Sequence, residues 1–174
     1  MPSRRITVDF LGTETTLDYA PRSVGYAVVA MRLGLGWMFF HAGVARTLDA
    51  GWTVVRFVQA IPSSNPLVPL WTWLGAHASG LVDPLMTVGF TVVGTGLFLG
   101  AGLRASALVG AFLMGLSWTA RVSSSTGLVT DHLIYALFLF GLGALGAGRL
   151  AGLDAIFERH PVVERHPSLR LLLG

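Results

Sequence analysis

An all-α membrane protein is the fold class this sequence predicts: an antiparallel bundle of four transmembrane helices, with a small N-terminal cytoplasmic β-hairpin and an outer interfacial loop. Three observations carry that reading. Of the 174 residues, 53% are apolar and only 12% are charged, where a soluble domain carries about 25% charge. The stretches 85–103 and 133–148 contain no charged residue at all. A soluble chain this small has too much surface for its volume to hide so much apolar area, whereas lipid covers it. Finally, the apolar segments approach the ~20 residues needed to cross a bilayer.

Residues 4–20 precede the first apolar segment. Ile6, Val8 and Phe10 alternate with Thr7 and Asp9, which is the period of a strand. Gly12 and Thr13 suit a turn, and Leu17 and Tyr19 a return strand. An isolated hairpin is marginal in water, so it is expected to pack on the bundle or on headgroups. The first 23 residues are polar, with no apolar stretch behind the basic start. The first helix is therefore expected to act as an uncleaved anchor.

The helices are predicted over 24–44, 81–102, 105–122 and 130–149. The second and third are joined by only Gly102, Leu103 and Arg104, so they form a tight antiparallel pair. The long connection, 46–80, is too polar to span and is broken by Pro62, Pro66 and Pro69. Trp52, Val55, Val58 and Ile61 recur every three residues, as in a short helix lying in the interface; Trp71 and Trp73 follow. Beyond the fourth helix, 153–157 reads as a short amphipathic turn, and 151–174 as a cytoplasmic tail. The domains are thus an N-terminal segment (1–23), a transmembrane unit (24–150) and that tail.

Arginine placement sets the orientation. All twelve basic residues are arginine. Arg4, Arg5, Arg22, Arg104, Arg149, Arg159, Arg165 and Arg170 fall on one side, against Arg46, Arg56 and Arg121 on the other. By the positive-inside rule both termini are cytoplasmic, in a multi-pass protein of the plasma membrane. Trp52, Trp71, Trp73 and Trp118 then gather at the outer interface, where indoles anchor. The arginines form no basic stripe with interleaved aromatics, so nucleic acid is not an expected partner. No cysteine is present, which excludes disulfides, cysteine zinc sites and thiol chemistry within the chain. Glycines in the second and fourth helices are read chiefly as packing surface.

Two sets of residues stand out chemically. Arg32 lies eight residues into the first helix, ~12 Å from its start. A guanidinium at that depth costs about 2.5–3.5 kcal/mol on the insertion scale, so it is expected to face the bundle. Its expected partners are exposed carbonyls or the stripe of Thr87, Thr91 and Thr95 on the second helix, as a structural staple or a functional anchor alike. The other set lies at the outer boundary: His41, Arg46, Asp49, Asp83, Trp118, Arg121, Asp131, His132 and Tyr135, with His77 nearby. Imidazole exchanges protons near neutral pH. A quinone needs an apolar slot with donors for two carbonyl oxygens, and His41, Arg46, Trp118, Arg121, Asp131, His132 and Tyr135 are the candidates for it. Taken singly, each reads as an ordinary interface residue. No HxxxH or HExxH spacing occurs, so neither haem nor metal is expected. Arg104, Arg149 and Asp154 are read as structural. Arg149 completes a helix C-terminus, and Asp154 caps free N–H groups of the short turn or pairs with Arg104.

With these residues placed, the chain resembles the DoxX/DoxD family of four-helix membrane proteins. The segment MRLGLGWMFFHAGVARTLDAGW carries Arg32, Gly36, Ala42, Gly43 and Arg46 at the spacing of the family's opening helix. GTGLFLGAGLR supplies Gly94, Gly100 and Arg104, and GAGRLAGLD supplies Gly148, Arg149 and Asp154. Phe90 stands where many relatives carry an acidic residue. The resemblance implies a membrane subunit of a quinone-linked redox system, similar to the large membrane subunit of a thiosulfate:quinone oxidoreductase, with electrons from a redox partner subunit. The alternative is a non-catalytic scaffold or accessory subunit of a respiratory or other membrane complex, or a homo-oligomer. The absence of haem-binding motifs and nucleotide fingerprints weighs toward that alternative.

Overall fold

The computed structural model describes residues 4–122 and 129–174. Strand periodicity gives strands where it predicts them: β1 (Arg4–Phe10) pairs antiparallel with β2 (Thr13–Tyr19), Ile6 opposite Leu17 and Val8 opposite Thr15. The two-residue turn between them needs positive φ at both positions; Gly12 takes it freely, and Leu11 adopts φ 55°. Ile6, Val8 and Leu17 are exposed, so of the two expected resting places, bundle or headgroups, the hairpin does not bury its apolar face on the bundle.

Three helices are long and apolar enough to cross a membrane: α1 (Pro21–Leu48), α4 (Ser79–Leu99) and α5 (Leu103–Arg121). The fourth apolar helix, α6 (Asp131–Ala144), is shorter. At 1.5 Å per residue it covers ~21 Å of a hydrocarbon core about 30 Å thick. The helix expected over 130–149 therefore stops early. Gly146 at φ +62° closes it, and a 3₁₀ turn follows at Ala147–Arg149. Its closely spaced glycines have low helix propensity, so little opposes the change of conformation.

In the bundle α1 packs on α4, α4 on α5 and α5 on α6, whereas α1 and α6 touch only briefly. The α1–α4 contact is backbone against backbone. A Cβ added at Gly94 would strike the Phe40 backbone, one at Gly43 the Thr91 backbone, and one at Gly36 would lie 2.7 Å from the Phe98 nitrogen. Small residues permit this close approach of the two backbones. Phe39 stacks on Phe90 with ring centres 5.2 Å apart, at the heart of a core that includes Leu97, Leu113, Leu139 and Leu142.

The long connection holds two helices, α2 (Val54–Gln59) and α3 (Val68–His77). The first falls within the expected interfacial segment. The second corrects the reading of Pro69 as a breaker. Pro69 sits in the first turn of α3, where a missing N–H is no loss and its fixed φ favours the helix. Trp71, expected as an interfacial anchor, is instead fully buried, with Trp73 exposed. The 151–174 segment is not a free tail. After α7 (Asp154–Phe157), α8 (Pro161–Arg165) and a 3₁₀ turn at Pro167–Leu171, it returns to the bundle, where the Ala105 N–H donates to the Leu172 carbonyl at 3.2 Å.

Candidate functional site

The buried charges meet at the end of the bundle that carries the termini. Arg32 is 2% exposed. Its Nη1 donates to the carbonyls of Ala147 (2.8 Å) and Leu150 (2.7 Å), and its Nη2 to that of Ala151 (3.1 Å). These acceptors belong to the 3₁₀ turn and irregular chain that follow α6, whose carbonyls have few backbone donors of their own. Arg32 thus faces the segment after α6, not the threonine stripe of α4. The Thr91 and Thr95 hydroxyls donate to Thr87 and Thr91 carbonyls of their own helix, at 3.0 and 2.8 Å. Such back-bonding satisfies a hydroxyl in an apolar helix, so neither is left to serve the guanidinium.

Asp154 is fully buried beside it. Its Oδ1 accepts the Gly102 N–H at 2.6 Å, and its Oδ2 accepts those of Leu103 and Gly174, both at 2.9 Å. The expectation that Asp154 caps its own short turn is corrected: the carboxylate caps α5, whose first N–H groups point out of the helix end. Main-chain bonds from Leu153 to the Leu99 carbonyl and from Asp154 to the Gly100 carbonyl lock the same junction to the end of α4. Glycines make the room. A Cβ on Gly148 would fall on the Asp154 carboxylate, and one on Gly152 would lie 2.9 Å from Arg32 Nη1. Arg104 does not pair with Asp154; its Nε donates to the Gly143 carbonyl at 3.3 Å. Arg149 bridges to Glu158 at 2.7 Å on the surface.

The outer-boundary residues gather only in part: His132 and Arg121 both lie close enough to Asp131 to act on its carboxylate, whereas His41 lies on another face. His41 is exposed on the outward face of α1, its ring 6.2 Å from that of Trp37. His132 sits at the start of α6 with Nδ1 2.7 Å from Asp131 Oδ1. Since α1 and α6 are not principal neighbours, the expected approach of the two histidines is not observed. Arg46 lies over the rings of Phe90 (4.2 Å) and Trp52 (5.7 Å), a cation–π arrangement. Asp83 caps α2 by accepting the Val54 N–H at 2.7 Å. His77 stacks on Trp73 at 5.4 Å. Tyr135 is half-buried against the core, Trp118 is half-buried and Arg121 is exposed at the end of α5. Among the described residues, no group of three or more His, Asp or Glu is placed to hold a metal ion.

Sequence reasoning missed the contacts that close this end. Trp71 Nε1 donates to Thr119 Oγ1 at 3.1 Å, and Asn65 Nδ2 to the Thr119 carbonyl at 3.0 Å. Asn65 is buried although it sits among prolines; a lone asparagine between two prolines was the available signal. Comparison with protein-family profiles, with curated proteins and with solved structures gave no match.

Proposed function

We propose that the chain is a four-span protein of the plasma membrane, with both termini cytoplasmic, acting as a non-catalytic scaffold or accessory subunit of a larger membrane complex. Three long apolar helices and the uneven arginine distribution support the membrane part. The observation that carries the rest is how the polar groups are used. Arg32 and Asp154 spend their hydrogen bonds on backbone, and Asp83 caps a helix. Arg46 is stacked between aromatics, and His41 faces outward. Most of the hydrogen bonds these groups make go to the protein's own backbone, which favours a structural use for them over a substrate site.

A quinone-linked redox subunit is the second reading. It is favoured by the DoxX/DoxD motifs and by the Asp131–His132 pair, a carboxylate-oriented imidazole of the kind that relays protons. One experiment separates the two. The protein is purified from membranes in mild detergent and extracted for quinone, and the same membranes are resolved on a native gel. The accessory reading expects no stoichiometric quinone and a band well above the 18.5 kDa chain. Quinone near one per chain, lost in His132→Gln, would overturn it in favour of the redox reading.

A further inference from the structure

Between α5 and α6, at the end that carries the termini, an apolar groove of about 300 Å³ opens to the outside of the bundle. Its wall is built from Ala107 and Ala111 on one helix and Leu139 and Gly143 on the other. Alanine and glycine leave the groove unfilled. Arg104 and Ala111, both lining it, are seven residues apart, so it runs ~10 Å along the bundle. Leu172 crosses its terminal end, held by the Ala105 N–H.

Arg104 stands at that same end. Its Nε is held by the Gly143 carbonyl, which fixes the guanidinium without neutralising it. Arg5 and Arg149 have carboxylate partners within 3.0 Å. Arg104, by contrast, forms no ion pair among the described residues. A fixed cation at one end of an apolar slot is the negative image of an acidic lipid. Guanidinium matches phosphate in shape and charge, and basic pockets between membrane helices on the cytoplasmic side take anionic headgroups.

We propose that this groove binds an anionic glycerophospholipid, with an acyl chain between α5 and α6 and the phosphate on Arg104. The inference rests on the membrane reading of the chain, and holds whether the protein is an accessory or a redox subunit. A zwitterionic lipid offers the same tails but no net headgroup charge, so the site discriminates by charge.

The test uses the full chain in a non-ionic detergent, with thermal unfolding followed as dioleoylphosphatidylglycerol, dioleoylphosphatidylcholine or inorganic phosphate is added. Ligand binding to the folded state raises Tm. The expected result is a rise several degrees larger with the glycerol lipid than with the choline lipid, and none with phosphate. Arg104→Gln should erase the difference, Arg104→Lys should keep it, and Ala111→Phe should abolish the response to both lipids with Arg104 intact. Equal response to the two lipids, a full response to phosphate alone, or undiminished preference in Arg104→Gln would each overturn the proposal. Failure of the membrane reading is seen earlier and separately, as protein recovered in aqueous buffer without detergent.

Discussion

At the termini end, two buried charges make six hydrogen bonds to main-chain groups from the junctions after α4 and α6 and from the C-terminal segment. At the loop end, aromatic bulk takes that place: Trp71 and Val54 are fully buried, and Phe57 meets Trp71 edge-on at 5.3 Å. The difference follows from how the helices end. α4 and α6 finish on left-handed glycines with short irregular connections, which leave carbonyls and N–H groups, several of them buried, without intrahelical partners. Such groups are costly unless paired, and a guanidinium and a carboxylate can each pair several at once. At the loop end, neutral or helix-capping side chains such as Asn65 and Asp83 serve the free backbone groups, and apolar bulk fills the rest.

That contrast makes its strongest demand at Arg32. Arg32→Leu removes three hydrogen bonds to backbone carbonyls and leaves the Asp154 carboxylate without its nearby cation. Breaking a buried charge arrangement from one side costs about 3–5 kcal/mol, so loss of folded, monodisperse protein in detergent is expected. A variant with wild-type Tm would show that the termini end does not depend on charge. Asp154→Asn comes next. It keeps one oxygen but turns an amide NH₂ toward N–H donors, because both carboxylate oxygens are in use. A loss of about 1–3 kcal/mol is expected, read as a lower Tm; a silent substitution would remove Asp154 as the cap of α5.

At the other end, Trp71→Phe keeps most of the bulk and deletes the bond to Thr119. About 0.5–1.5 kcal/mol should be lost, and Trp71→Ala should cost far more than Trp71→Phe. If the two were equal, the loop end would be held by its hydrogen bond, and the contrast between the ends would dissolve. The smallest effect is expected at Arg149, on the charged end but outside its buried part. Arg149→Gln removes a surface pair worth about 0–1 kcal/mol, and Tm should hardly move.

Much of the fold was legible because it depends on local composition. The apolar runs locate α1, α4 and α5, and period two locates the hairpin. Arg32 declared itself by its depth alone. That its partners are carbonyls was one of the two expectations; which carbonyls they are was not legible, because Ala147 reads as the last turn of a helix until Gly146 breaks it and Leu150 and Ala151 follow that turn. The Phe90 position carried a similar lesson. With no carboxylate there, the charge near Arg32 comes from Asp154, distant in sequence and fully buried in the junction. The histidines misled for the opposite reason. His41 and His132 share a depth, but depth says nothing about the side of a helix on which a residue lies. Trp37, four residues before His41 and also exposed, marks that face as outward.

The bond from Arg32 to Ala147 joins residues separated by 115 positions. During synthesis at about 5–20 residues per second, that separation corresponds to a delay on the order of ten seconds. Through that interval α1 has left the ribosome with its guanidinium, while the carbonyls that will receive it have not been made. In the proposed membrane setting, the nascent first helix carries an unmatched positive charge at a depth where lipid penalises it. It must wait in a hydrated or protein-lined setting, or lie shifted toward the interface, until α6 arrives. Assembly thus has a built-in order at this end: α1 can pack on α4 as soon as α4 is made, but the Arg32 junction closes only after α6.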